Sequence, residues 1–302
     1  MCSLENVLAV DIGGTSIKLG VVNNDKVLES TSIRNTFKGK SSALIEGIKE
    51  ICHEYINKYN VRKIGIGCPG DIADGVVVVA SNLGWTNYNL LDDFKKEFVG
   101  LEIQVENDGI AACKAEMKLG NLKNVETGLF VTIGRGIGGG IIINQKLVQG
   151  SHKLGGKIGH VTLYNNGRKC NCGRRGCYET YCSVLGLIRT VKEENVKFPE
   201  NEKINVERLS GFQIVSLKKE NNSVALKGLK RWNGDFASGL VNLCNLFDPS
   251  VIVIAGGITE GDLLDLDYIK EELNKNGFSE CEVLLAKFKG KTGLIGAASL
   301  LN

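Results

Sequence analysis

His160, Cys170, Cys172 and Cys177 fall in one short stretch and supply one imidazole and three thiolates, the ligand set of a closed tetrahedral zinc site. Gly173 and Gly176 lie between Cys172 and Cys177, where a tight loop needs positive φ to turn several ligands toward one point. Ten cysteines in 302 residues will sometimes cluster, and a free cysteine behaves as a small buried hydrophobe. Three of them among polar, glycine-rich residues do not resemble a core segment, and the spacing favours metal. Bound zinc contributes on the order of 10 kcal/mol to local folding. Cys182, a little further on, either substitutes for one of the three thiolates or is simply packed.

A second chemistry is written in glycines. Asp11-Ile-Gly-Gly-Thr15 and residues 134–140 each join two strand-like runs, and the exposed backbone N–H groups of such turns can cradle phosphate oxygens. Asp11 beside the first turn can hold Mg²⁺, directly or through water. Ordinary hairpins explain either turn alone. The recurrence, with Gly256-Gly257 as a third glycine signal, points to phosphate. Gly134, Gly136 and Gly139 fit G-x-G-x-x-G, as do Gly65, Gly67 and Gly70, but the first set precedes a strand and the second a Pro-Gly turn rather than a helix. Gly39-Lys40-Ser41 and Gly290-Lys291-Thr292 lack the leading glycine of a P-loop. Both nucleotide-binding fingerprints are rejected.

The elements that must carry these groups alternate between strand and helix. Residues 7–10 and 17–22 are apolar, β-branched runs, and Asn23-Asn24-Asp25 is a turn, so the chain opens as strand, glycine turn, strand. Positions 44, 45, 48, 51, 52, 55, 56 and 59 share one face of a helix from Ser41 onward, capped by Ser41 or Ser42. Strands are expected at 63–67, 76–79 and 103–106, the last ending at Asn107-Asp108-Gly109 before a helix at 110–119. Polar composition at 120–126 sets a boundary between an N-terminal domain, 1–122, and a C-terminal domain, 123–302. The opening pattern then returns as strand 129–133, glycine turn 134–140 and strand 141–144, which reads as an internal duplication. A helix at 236–247 and an apolar strand at 251–255 follow, and 293–301 forms a closing helix expected to pack back on the N-terminal domain. Residues 195–227 predict little. Strands alternating with helices argue for α/β layers.

Composition excludes several classes. A hydrophobic fraction of 43% is enough to bury a core in each of two domains. A net charge of +3 makes no case for nucleic acid or an anionic membrane. Met-Cys-Ser-Leu-Glu-Asn is not a signal peptide, and no apolar stretch approaches the roughly 20 residues of a membrane span. Cys2, Cys52, Cys68, Cys113, Cys244 and Cys281 show no framework spacing, which with a zinc site suggests reduced thiols in the cytoplasm.

Taken together, Asp-Ile-Gly-Gly-Thr (11–15), Cys-Pro-Gly (68–70), Asn-Leu-Gly-Trp (82–85), Glu-Asn-Asp (106–108), Gly-x-Gly-Ile-Gly-Gly-Gly (134–140), Ile-Gly-His (158–160), Cys-x-Cys-Gly-x-x-Gly-Cys (170–177) and Glu-Thr-Tyr (179–181) resemble the ROK family of sugar kinases and repressors. The resemblance spans nearly the whole chain and implies an actin-like (ribonuclease H-like) ATPase fold of two domains closing on ATP and a sugar, with zinc holding the loop that carries sugar contacts. It implies a homodimer or a dimer of dimers. Asp108 matches the catalytic base that takes the proton of the sugar 6-hydroxyl; without the resemblance it would read as a helix N-cap. Gly70, Asn82, Asn107, His160 and Glu179 match sugar contacts, His160 offering one ring nitrogen to zinc and the other to a hydroxyl. Asp11, Gly13, Gly14, Thr15, Lys18, Gly134, Arg135, Gly136, Gly138, Gly256 and Gly257 match the surroundings of ATP and Mg²⁺.

Two residues depart from the pattern. Lys157 replaces a glutamate that accepts from a sugar hydroxyl, and lysine donates without accepting. A basic residue there is closer to some N-acetylmannosamine kinases than to glucokinases. Arg135 replaces a small hydroxyl residue and either meets phosphate charge or points outward. The leading expectation is a cytoplasmic ATP-dependent kinase acting on the 6-hydroxyl of glucose, N-acetylmannosamine or a related sugar. A sugar-responsive regulator would need a DNA-binding domain ahead of the strand at Val7, and a catalytically weak sensor would not need Asp108. A zinc module for nucleic acid would rest on Lys169, Arg174 and Arg175 alone.

Overall fold

Continuous apolar runs become central strands here, and each glycine turn folds one such strand onto the next. The computed structural model describes residues 5–14, 16–34, 41–80, 83–151 and 154–301. Cys2, Thr15, Asn82 and the side chains of Ser41 and Ser42 lie outside the described residues. The chain divides into two units, one from 1–123, 149–154 and 290–302, the other from 124–148 and 155–289.

The first unit contains, in chain order, β1 (Val7–Ile12), β2 (Ser16–Asn23), β3 (Lys26–Arg34), α1 (Ser41–Tyr59), β4 (Lys63–Cys68), β5 (Asp71–Ala73), β6 (Val76–Ala80), β7 (Trp85–Asn89), α2 (Leu90–Glu97), β8 (Glu102–Asn107) and α3 (Asp108–Leu119). Its main sheet runs β3-β2-β1-β4-β8, and β5, β6 and β7 form a small sheet of their own. β1, β2 and β3 pair antiparallel, whereas β1, β4 and β8 run parallel. Val7, Leu8, Ala9, Val10 and Ile12 are all inaccessible, as a parallel strand covered on both faces requires. Leu44, Ile48 and Cys52 of α1 pack in the same core as β1. The C-terminal helix, Thr292–Ala298, lies so close to the sheet that a Cβ on Gly65 would sit 1.9 Å from the Ala297 carbonyl oxygen.

The second unit contains β9 (Thr127–Ile133), β10 (Ile137–Ile143), β11 (Lys146–Leu147), a 3₁₀ turn (Ile158–His160), α4 (Glu179–Cys182), α5 (Val184–Asn195), α6 (Gly211–Lys219), α7 (Ser223–Phe247), β12 (Val251–Ala255), α8 (Leu266–Lys275) and β13 (Glu282–Leu285). Its sheet runs β11-β10-β9-β12-β13, with β9, β12 and β13 parallel and β9 and β10 antiparallel. This repeats the order and the strand directions of the first unit's central strands. The recurrence of strand, glycine turn, strand in the sequence therefore marks a recurrence of architecture.

The structure corrects three sequence boundaries. The second glycine turn is shorter than 134–140, because Gly138, Gly139 and Gly140 pair with Thr132, Val131 and Phe130 inside the ladder. A Cβ on Gly139 would lie 2.2 Å from the Phe130 carbonyl oxygen and 2.4 Å from Ile158, so the glycine serves close packing there. The helix expected at 110–119 begins at Asp108, since the Asn107 side chain caps it by accepting from the Ile110 N–H at 3.1 Å. The helix expected at 236–247 reaches back to Ser223. Buried Asn233 and Asp235 interrupt its apolar pattern and hid the first half.

Candidate functional site

In the first unit three parallel strands end together, the place where open α/β sheets gather ligands. Asp11 in β1 lies opposite Lys18 in the β2 ladder and opposite Gly67 of β4. Asp108 follows the end of β8 and opens α3. The turn between β1 and β2 is closed by the Gly13 N–H donating to the Ser16 carbonyl at 3.0 Å, and Lys18 Nζ donates to the Gly290 carbonyl at 3.0 Å. Gly293 must lack a side chain, because a Cβ there would lie 2.1 Å from Asp11 Oδ2.

The two carboxyls influence each other. Burial, then the neighbouring Asp108 charge, pushes the Asp11 carboxyl up to about 6, with Lys18 opposing. Burial also raises Asp108, against the N–H groups of Gly109 and of its own backbone; Gly109 donates to Oδ1 at 2.8 Å. Asp108 is thus a partly buried carboxyl whose pKa desolvation raises, a state suited to accepting a proton. Asn107, one residue earlier, donates from Nδ2 to the Gly70 carbonyl at 2.9 Å besides capping α3. One amide N–H and one oxygen lone pair remain to it for a ligand. Gly70 has φ +103°, and a Cβ there would collide with Val79 at 2.2 Å, so only glycine fits.

In the second unit, residues 134–136 form the tip between β9 and β10. The Gly134 N–H donates to the Gly136 carbonyl at 3.0 Å, and the Gly134 carbonyl accepts from Val184 at 3.0 Å. Arg135 is exposed at this tip. Gly256, with φ +103°, follows β12, and Gly257 opens the next 3₁₀ turn with free space where a Cβ would stand. Lys157 is exposed just before the turn that carries His160.

His160 closes its 3₁₀ turn, and the three cysteines sit on a tight hairpin. That hairpin pairs Lys169 with Arg175, and Cys170 donates its N–H to the Arg174 carbonyl at 2.9 Å. Gly173 and Gly176 both have positive φ, 90° and 79°, as the sequence requires of them. The four ligand atoms all lie within 4.8 Å of one another. Cys172 and Cys177 sulfurs are 3.6 Å apart and Cys170 Sγ is 3.8 Å from His160 Nδ1. Zinc to sulfur bonds of about 2.3 Å set a tetrahedral edge of about 3.8 Å, so the donor set fits zinc in both chemistry and spacing. Glu179 links the cluster to the glycine tip: Oε1 is 3.1 Å from Cys170 Sγ, and Oε2 accepts from the Ile137 N–H at 3.4 Å.

The ROK family model matches residues 7–302. The chain belongs to the ROK family. Glucokinase of Streptomyces coelicolor is 32% identical over 97% of this chain and 96% of its own. The crystal structure of a ROK glucokinase from Streptomyces griseus in complex with glucose and AMPPNP matches with a TM-score of 0.84 and 31% identity, covering 98% of both chains. The family also contains regulators: the xylose repressor of Bacillus subtilis is 28% identical over 90% of this chain and 70% of its own. The fold is accordingly that of the actin-like ATPases.

Against this ROK framework, Asp11 and Asp108 come together in one unit, and His160, Glu179 and the three cysteines in the other. Cys182 is fully buried with Tyr178 and Tyr181 in the core and is not among the four clustered ligands, which favours the packing alternative. Arg174, exposed on the hairpin, donates to the His160 carbonyl at 3.2 Å and to Thr162 Oγ1 at 2.8 Å and so ties the hairpin to the histidine turn. Two further residues near these groups were given no role from the sequence. Cys68 ends β4 near both carboxylates, whose charges add to burial in raising its thiol pKa. Arg168, two residues before Cys170, belongs to none of the sequence motifs and is buried.

Proposed function

We propose that this ROK protein is an ATP-dependent sugar kinase that transfers the γ-phosphate to the 6-hydroxyl of a hexose or N-acetylhexosamine. The observation that carries the reading is the placement of Asp108, a partly buried carboxyl raised by desolvation, beside Asp11 at the ends of the parallel strands. Relatives and structural neighbours that are glucokinases support it. In this reading the 6-hydroxyl oxygen bonds to the γ-phosphorus as the bond to the β,γ-bridging oxygen breaks, and the hydroxyl proton passes to Asp108. ADP leaves with the bridging oxygen's electron pair. Backbone N–H groups of the glycine turns hold phosphate oxygens, and Lys18 adds a positive charge. Asp11 would hold Mg²⁺, whose charge offsets that of the phosphates when it is bound.

His160, Cys170, Cys172 and Cys177 would hold zinc, which supplies a rigid crosslink between the histidine turn and the thiol hairpin. Metal analysis of purified protein is expected to give close to one zinc per chain; a value far below one removes the metal reading. Gly70, Asn107, His160 and Glu179 are assigned to sugar hydroxyls. Lys157 favours a substrate that presents an acceptor to it, such as the carbonyl of an N-acetyl group.

ADP release with ATP and Mg²⁺ across glucose, N-acetylmannosamine, N-acetylglucosamine, fructose and allose tests the proposal. One clearly preferred sugar is expected. A second reading, a sugar sensor without turnover, is favoured by the similarity to xylose repressors. Silence across the panel from folded, zinc-loaded protein would select it.

A further inference from the structure

Arg168 is 6% exposed, and every one of its side-chain donors is used. Nε donates to Glu193 Oε1 at 3.2 Å and Nη2 to Glu193 Oε2 at 2.7 Å, a bidentate pair. Nη2 also donates to Thr190 Oγ1 at 2.9 Å, and Nη1 to the carbonyls of Thr180 at 2.9 Å and Gly186 at 3.4 Å. The guanidinium lies 4.5 Å from the Tyr181 ring centre. Its backbone is equally committed: the N–H donates to the Tyr181 hydroxyl at 2.6 Å, and the carbonyl accepts from Gly176 at 2.8 Å. One residue therefore joins both arms of the thiol hairpin, next to Cys170 on one side and Cys177 on the other, to α5 and to the short α4 that bears Glu179.

We propose that Arg168 is the positioning residue of the metal loop, presetting the three thiolates and holding α4 in register with them. The inference rests on the reading that His160 and the cysteines bind zinc. Partners that orient metal ligands typically change metal affinity by 10- to 100-fold, and a fork of five donors cannot be reproduced by the single ammonium of lysine.

Zinc affinity is measured by competition with a chromophoric chelator on full-length Arg168→Lys, Arg168→Met, Glu193→Gln and Arg189→Lys proteins, with the Co²⁺ absorption spectrum as a second readout. Both Arg168 variants are expected to bind about 10- to 100-fold more weakly, and Glu193→Gln about tenfold more weakly. Arg189 also bonds Glu193, at 3.2 Å, but is half exposed, so its lysine variant is expected to match wild type. Wild-type affinity in folded Arg168→Lys or Glu193→Gln overturns the proposal, including the case in which lysine rescues what methionine loses. Should Arg168→Met fail to fold, those two variants decide. A wild-type protein that takes no metal is a separate result, and it overturns the zinc reading together with this one.

Discussion

Asp108→Asn is expected to lower kcat by at least about 10²-fold while leaving the fold and the sugar KM close to wild type. Asparagine keeps the shape of the side chain and can still accept the Gly109 N–H at Oδ1. What it lacks is a basic oxygen that can carry away the hydroxyl proton. A capping role would predict a different outcome, a stability loss of about 1 kcal/mol with turnover preserved. The structure assigns that role to Asn107, one residue earlier. Steady-state kinetics with the preferred sugar, alongside urea unfolding, separates the two: near-normal turnover would sink the assignment of Asp108 as base.

Asp11→Asn is expected to do two opposite things. Turnover falls by at least about 10²-fold, because on the proposed reading the neutral amide would no longer hold the Mg²⁺ that offsets the phosphate charge. Stability rises above neutral pH. The Asp11 carboxyl ionises at about 6 in the folded chain against an ordinary 3.8. Below 3.8 it is protonated in both folded and unfolded chains and costs nothing. Between the two values the unfolded chain ionises first and the folded state is penalised progressively, and above 6 the penalty is complete, on the order of 3 kcal/mol. The amide removes it. Urea midpoints in nucleotide-free, Mg²⁺-free buffer should therefore favour the variant by about 3 kcal/mol at pH 8 and by only about 1 kcal/mol at pH 4.5. A difference that does not change with pH, or a variant weaker than wild type at pH 8, would contradict the burial and charge coupling of Asp11 with Asp108.

The legible part of the fold was the part whose burial is continuous along the chain. β1, β4 and β12 are unbroken apolar runs because both faces of a central parallel strand are covered. β3 was missed because only every second side chain or so is even partly covered and its outer residues are polar. The first half of α7 was missed because Asn233 is buried by bonding Leu229 and Leu263 carbonyls, a satisfaction invisible to any apolar count. The clustering of His160 with the three cysteines was legible because those residues are local in sequence. Asp11 and Asp108 are joined only by the strand order; the part expected of Asp11 came from its place beside the glycine turn, and that of Asp108 from the family motif rather than from periodicity. Arg168 was hidden for the same kind of reason, since Glu193 is 25 positions away and nothing near Arg168 in sequence announces burial.

The placement of the C-terminal helix bears on how the chain is made. The first unit's sheet is covered by Thr292–Ala298, a segment that follows the whole of the second unit. Gly65 and Gly20 are shaped to receive it, a Cβ on Gly20 approaching Leu294 to 3.2 Å. As the polypeptide leaves the ribosome, the second unit has all its strands in hand while the first, though synthesised earlier, still exposes the apolar face that this helix will cover. The usual order, in which the leading domain folds first, is reversed for the final step. The whole of the second unit must be made before Asp11 acquires the close neighbour, Gly293, that packs against its carboxyl.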